Sequence, residues 1–549
     1  MRIDSKAEGP RQSMSWLHTW ASLILGWLLY AIFLTGTLSF FQNEISVWMK
    51  PELHQSVPNN SQIQQTQIAL HYLQQHAPDA ALWNIQLPNS RQTSTELQIR
   101  KQGEDLSRRR GGERISLDSA TGEVLQPRET RGGSFLYRFH FELYGLPRIW
   151  ARWLVGVATM LMLVAIVSGI ITHKKIFKDF FTFRSGKGQR SWLDAHNATA
   201  VFALPFHIMI TFSGLLLLMF MFMPWGIKQV YPDSMDFFNE MRGRTTAQTT
   251  ASNQNQNKGQ KPAIQHTIEK IEMAPLAPML REVQSQWRDN HIASIQITAP
   301  NTTQAEIVFQ AMHAKHLIER NVLPRLSFNG VTGQLMQDPH QDAAKNVSVP
   351  LGIYNVVTVL HEARSVDLGL RWLLFFSGVM GSMMVATGLL LWCVKRAPQQ
   401  QKQGHLSFAY RLVQVLNIAT IIGLPLAVAG YFYANRLLPT DLDMRLNWEI
   451  RSFFTIWLLS LVFGALRPAR QAWLSLLMLT GLAFACLPLL NAMTGGAALW
   501  ESIQNGQWMI ASFDIMSLCI AAFMFLSFYK LNKHPITATK KNQQHKTQP

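Results

Sequence analysis

Cysteine is nearly absent from this chain: three in 549 residues, Cys393, Cys486 and Cys519, each inside an apolar run. None is spaced as CxxC, which excludes a thiol redox pair or a cysteine-built zinc site, and without CxxCH there is no attachment point for a c-type haem. Acid is scarce too, with 33 Asp and Glu against 50 Lys and Arg. No G-x-G-x-x-G stretch occurs, so the chain carries no dinucleotide fingerprint of its own. What it has in abundance is long apolar runs and, set within them, histidines.

Runs of 18 or more apolar residues are long enough to cross a bilayer; four lie at about 19–41, 150–172, 199–223 and 371–394, and four more at about 408–432, 448–466, 472–493 and 509–529. The sixth is short and flanked by Arg451 and Arg467. The short connections are basic. Lys174, Lys175, Lys178, Arg184, Lys187 and Arg190 face a single acid, Asp179, in 174–190; Lys395, Arg396, Lys402 and Arg411 face none in 395–411. Arg467 and Arg470 close a later loop, and five lysines follow Tyr529. By the positive-inside rule this predicts a multi-pass protein of the bacterial inner membrane with both termini cytoplasmic and two long periplasmic loops. Lysines and arginines that meet anionic membrane lipid account for the net charge of +17, and no nucleic acid is needed as a partner. The first run is too long for a cleavable signal peptide and is expected to stay as an anchor.

The expected fold is mainly α, with about eight transmembrane helices. Residues 1–41 hold the N-terminus and first span, 42–147 the first outer domain, 148–173 the second span and 174–195 a basic loop. The third span is 196–223, the second outer domain 224–368 and the fourth span 369–396. A four-helix extension, 408–531, and a basic tail, 532–549, complete the chain. Within the second outer domain, 243–262 is rich in Gln, Asn and Thr and reads as a flexible linker, because it has too little apolar surface to bury. Arg108, Arg109, Arg110 and Arg114 read as a solvated charged loop.

The first 396 residues are a duplication. His18 and His196 each open an apolar segment and are followed eighteen residues later by a glycine, in Thr35-Gly36 and Ser213-Gly214. His140 and His361 each precede Arg-Trp-Leu, and the arginines, Arg152 and Arg371, are followed seventeen residues later by Gly169 and Gly388. His173 and His207 stand alone, opposite Trp392 and Leu29. The loops repeat as well. Residues 64–88 and 276–300 read as a helix then a strand, and each leads to a hairpin turn, Asp118 to Gly122 and Asn329 to Gly333. Two small α+β outer domains follow from this pattern.

Histidine is costly inside a bilayer and usually functional there. Electron-transfer haems take two strong axial ligands, and neutral imidazole is a common one. His196 and His207 are eleven residues apart, which on one continuous helix puts them within about 20° of the same face and about 16 Å apart along the axis. One helix would thus serve two b-type haems. The iron-ligand set expected is His196, His207, His173 and His361, with His140 and His18 completing the cofactor-binding group. Pairing stays open: His18 and His173 lie near the depth of His196, while His140 and His361 are the outer candidates for His207. The Ser/Thr-Gly pairs allow close approach of helices or of a flat porphyrin, and simple helix packing explains them equally well.

Several runs resemble the PepSY-associated transmembrane helix family: Ser168 to Lys175, Phe181 to Arg184, Trp192 to Asn197 and Leu204 to His207. The resemblance covers about residues 12–396, in order and at the family's spacing, and the loops look like PepSY modules. It implies an inner-membrane protein, with some members acting as di-haem b reductases of ferric siderophores in iron uptake. A reductase of that kind would pass electrons to a ferric siderophore or another periplasmic acceptor, supplied by a cytoplasmic flavoprotein or by quinol. The rival expectations are a non-enzymatic PepSY protein that binds peptides or regulates a protease, and a haem or iron transporter.

Overall fold

A computed structural model describes residues 9–58, 61–105, 111–173, 184, 186–231, 233, 236–237, 269–288, 290–314, 316–319, 323–336, 349–364 and 366–533. The cluster Arg108 to Arg110, most of the basic loop after His173, the linker 243–262 and the tail beyond Lys533 lie outside the described residues.

The first half runs α1 (Pro10–Ile24), α2 (Gly26–Ser39), α3 (Gln42–Trp48), α4 (Gln62–His76), strands β1 to β4, α5 (Gly133–Glu142) and α6 (Arg148–Thr172). The second half runs α7 (Gln189–Phe202), α8 (Leu204–Phe222), α9 (Pro224–Lys228), α10 (Leu276–Trp287), strands β5 to β8, α11 (Val349–Glu362) and α12 (Leu368–Gln403). The extension follows as α13 (Phe408–Ile418), a π-helical turn at Ala419–Gly423, α14 (Leu424–Leu437), α15 (Arg445–Leu466), α16 (Ala469–Ala485), α17 (Leu487–Met493), α18 (Leu499–Gln504) and α19 (Trp508–Lys533). Among the described residues, seven spans are long and apolar enough to cross a membrane, and an eighth if α1 and α2, bent by 65°, count as one. The sixth expected span is among them, lengthened to Arg445–Leu466.

In the duplicated part, two spans expected as single helices are interrupted, and at matching places. The first breaks at Leu25 and the third at Ala203, each residue leaving helical geometry (φ −116° and −104°). The two halves repeat one packing plan. α1 lies on α6 and α7 on α12; α2 crosses to α12 and α8 crosses to α6; α5 rests on α2 and α11 on α8.

The two long loops fold as their patterns predict locally, but they are joined. β1 (Leu82–Gln86), β2 (Thr95–Arg100), β3 (Glu113–Leu117) and β4 (Val124–Leu125) meet β5 (Ile292–Thr298), β6 (Glu306–Ala311), β7 (Arg325–Asn329) and β8 (Leu335–Met336) in one antiparallel sheet, ordered β4-β3-β2-β1-β5-β6-β7-β8. At the seam Ile85 faces Ile295 and Trp83 faces Ile297. Alternate side chains of both halves form one core under α4 and α10, including Trp83, Ile85, Leu97, Ile295, Ile307 and Phe309. The turns behave alike: the Asp118 and Asn329 side chains each accept two backbone N–H groups at 2.8 and 2.9 Å, and Gly122 and Gly333 take positive φ (80° and 72°).

Candidate functional site

Because α1 and α6 run antiparallel, the start of the first lies level with the end of the second. His18 on α1 therefore meets Ser168-Gly169 on α6, and His196 on α7 meets Thr387-Gly388 on α12. The opposite ends repeat the arrangement, with His140 on α5 against Gly36 of α2 and His361 on α11 against Gly214 of α8. A methyl group added at Gly36 would stand 2.6 Å from His140 Nδ1; at Gly169, Gly214 and Gly388 the nearest atom is the Cε1 of His18, His361 and His196, at 3.2, 3.4 and 3.1 Å. All four Ser/Thr-Gly pairs are thus seats for histidine rings, which their reading as helix packing missed. The signal was available in the matched depths of the His and Gly positions.

Each seat also fixes the ring. His18 Nδ1–H donates to the Ala165 carbonyl at 2.8 Å, His196 to Met384 at 2.9 Å and His140 to Ile32 at 2.8 Å. Each of these carbonyls belongs to the residue three before the Ser or Thr. His361 instead bonds the Ser213 hydroxyl at 2.6 Å, whose own proton goes to the Met209 carbonyl. A carbonyl only accepts, so the proton sits on Nδ1 and the neutral ring keeps its lone pair on Nε2. In His18, His140 and His196 that Nε2 makes no hydrogen bond to the described residues.

The halves then bring these rings together in twos, always one from each half. The His18 and His196 ring centres are 6.2 Å apart and those of His140 and His361 6.1 Å. Two imidazoles bound to one metal from opposite sides, each by a bond of roughly 2 Å, have ring centres roughly 6 Å apart. Among the described residues no three His, Cys, Asp or Glu side chains converge as a cage for a bare ion. Two neighbouring imidazoles, each held through Nδ1 and seated on glycine, could hold a haem iron through their Nε2 atoms. The levels of the pairs can be read along α12, where Gly388 touches His196 and Gly378 touches Thr37, beside the Gly36 seat. Ten residues of helix separate them, about 15 Å.

A cavity of about 310 Å³ opens at the level of His18 and His196 and has His173 and Trp392 at its basic mouth. His207 lines its inner end. The break at Ala203 takes His207 off the helix of His196, so the single two-ligand helix is not formed, and His140 and His361 meet each other rather than His207. The ring is fully buried beside Phe33, with Nε2–H directed at the Thr199 carbonyl (3.3 Å) and Nδ1 without a partner. A methyl group at Gly381 would touch it at 3.3 Å, which places it between the two histidine pairs.

The membrane core meets the sheet through charge. Glu44 on α3 accepts both arms of Arg91 from the β1–β2 turn (2.9 and 2.8 Å) and lies 3.5 Å from Arg371 on α12. No curated protein matches the sequence. The duplicated helices, the two long loops and both histidine pairs fall within one family model, described as the PepSY-associated TM region, which matches residues 15–395, and the chain belongs to that family.

Proposed function

We propose that the chain is a di-haem b oxidoreductase of the bacterial inner membrane. In this reading electrons pass from the cytoplasmic, basic end to a periplasmic acceptor at the sheet end, with siderophore-bound ferric iron as that acceptor. The observation that carries the reading is the two histidine pairs, one ring from each half, with ring centres 6.2 and 6.1 Å apart.

His18 with His196 and His140 with His361 are the residues that would hold the two groups. Bound haem supplies one-electron transfer at iron, with a potential set by ligands, hydrogen bonds and burial. The chain's own part is orientation and insulation. Nδ1–H bonds to Ala165, Met384 and Ile32 hold three rings in one tautomer, and the Ser213 hydroxyl holds the fourth. Apolar helices keep water away, and a spacing of about 15 Å between levels sets a short path across the membrane. One-electron reduction of a ferric chelate needs no catalytic acid or base. With no dinucleotide fingerprint in the chain, a cytoplasmic flavoprotein or quinol is the donor that fits.

The test is a reduced-minus-oxidised spectrum with haem quantitation. The wild type should carry two b-haems per chain, His196→Ala and His361→Ala one each, and His207→Leu still two. A folded protein without haem would sink the reading and favour a peptide-binding or regulatory role for the outer sheet. Loss of a haem in His207→Leu would return that residue to the ligand set.

A further inference from the structure

The cavity beside His18 and His196 is uneven in polarity. Toward His207 its lining is largely apolar, with Leu29, Met162, Ala200 and Val385, and Ser22 and Asn197 are also part of the lining. Its mouth carries Trp392, Lys395 and Arg396, and no Asp or Glu among the described residues lines it. Gly388, Trp392 and Lys395 are spaced four and three residues apart, so the seat of His196 and the mouth groups share one face of α12. Arg396 lies 4.0 Å over the Trp392 ring, which holds its guanidinium at the rim. The Trp392 Nε1–H is buried and makes no hydrogen bond. A buried donor without an acceptor is costly, and here it shares the cavity with two cations that have no acid among the described lining residues to answer their charge.

We infer that Trp392, Lys395 and Arg396 form a carboxylate anchor, which takes the acidic edge of a flat apolar ligand and points that ligand's apolar edge inward to His207. This rests on the haem reading and adds which way the cofactor of the basic-end site lies. The indole N–H supplies one short-range donor, and Lys395 and Arg396 supply charge-assisted ones. The three are positioning residues, since they touch neither iron nor acceptor. Anionic lipid headgroups share the carboxylate's charge, so the experiment must separate the two sources.

The full-length chain with His140→Ala and His361→Ala keeps only the basic-end pair. Prepared without cofactor in neutral detergent, it is titrated with haemin and with haemin dimethyl ester, and the Soret band is followed. Haemin should bind at least about tenfold more tightly than the ester, the effect of one charge-assisted hydrogen bond. K395Q/R396Q should close that gap to within about twofold by weakening haemin alone, and W392F should narrow it while keeping the ring. Unchanged ester affinity shows that each variant is still folded around the site. A gap that persists in K395Q/R396Q overturns the anchor. A gap that vanishes in wild type on adding phosphatidylglycerol vesicles also overturns it, because the cations then serve lipid. If haemin fails to bind the parent protein at all, the haem reading itself falls, an outcome distinct from loss of the preference.

Discussion

In the first half of the core, α2, α3 and α5 are packed against the extension through a shared apolar core with buried polar groups set into it. On the matching surface of the second half, Ile208 and Phe212 on α8 and Ile353 on α11 stand exposed. The covered side is dense with charge. Glu449 on α15 is fully buried and ion-paired with Arg445, and it accepts from Asn435 (2.8 Å) and from Thr130 of the first half (2.7 Å). Arg436 bonds Asn491 (2.6 Å) and the Trp48 carbonyl, and Asp514 accepts from the Trp48 indole (2.8 Å). The bare side suits contact with lipid tails. Duplication accounts for the histidine frame, and what departs from it is His173 in the first half, His207 in the second, and the first half's polar seam with the extension.

The sharpest way to break that comparison lies in the seats. Gly36→Ala places a carbon 2.6 Å from His140 and should swing the ring off the Ile32 carbonyl, whereas Gly214→Ala meets His361 at an ordinary 3.4 Å. Haem content should fall from two to about one in the first variant and stay at two in the second. Equal losses would show that the seats are not what hold the rings.

Next in size is the polar seam. Glu449→Ala leaves Arg445 buried with its charge unanswered, a loss of about 3 kcal/mol. Thermal unfolding in detergent should register it, while a polar change at exposed Ile353 on the uncovered side should not. A neutral result at Glu449 would mean that the seam adds nothing to holding the extension in place.

A smaller effect is set by pH. His54 sits outside the spans, between the Val47 carbonyl (3.0 Å) and the Ala497 N–H (3.1 Å). Burial first, and then the Arg436 charge, push its pKa down to about 3. The unfolded ring takes a proton below about 6.5 and the folded ring only near 3, so the folded state loses up to about 1.4 kcal/mol per pH unit between them as pH falls. His54→Gln should flatten the melting temperature across that window. An unchanged slope would assign the acid sensitivity to other groups.

Much of this was legible in the sequence because it is periodic. The spans, the helix-strand order of each loop and the His-to-Gly frame follow from apolar runs and fixed spacings. What was not legible is how repeats meet. Nothing in β1 states that its free edge is filled by β5, since each loop alone reads as a complete unit. No proline or glycine at Leu25 or Ala203 itself announces a break, although Gly26 and Pro205 stand close by. The pairing of His18 with His196 depends on α2 and α8 crossing between halves, and that is a property of packing. Counting residues along a supposed continuous helix favoured His207. Matching depths on antiparallel helices would have favoured His18 and His140.

The β1–β5 seam also bears on how the chain is made. Until β5 has emerged, the first half presents an unpaired edge with Trp83 and Ile85 among its residues, and such edges recruit foreign strands. Once joined, the sheet ends on both sides in strands of two residues, β4 and β8, which offer little to pair with. A chain truncated before Ile292 would therefore be sticky as well as incomplete, and the cell's quality control would meet it as an aggregation hazard outside the membrane.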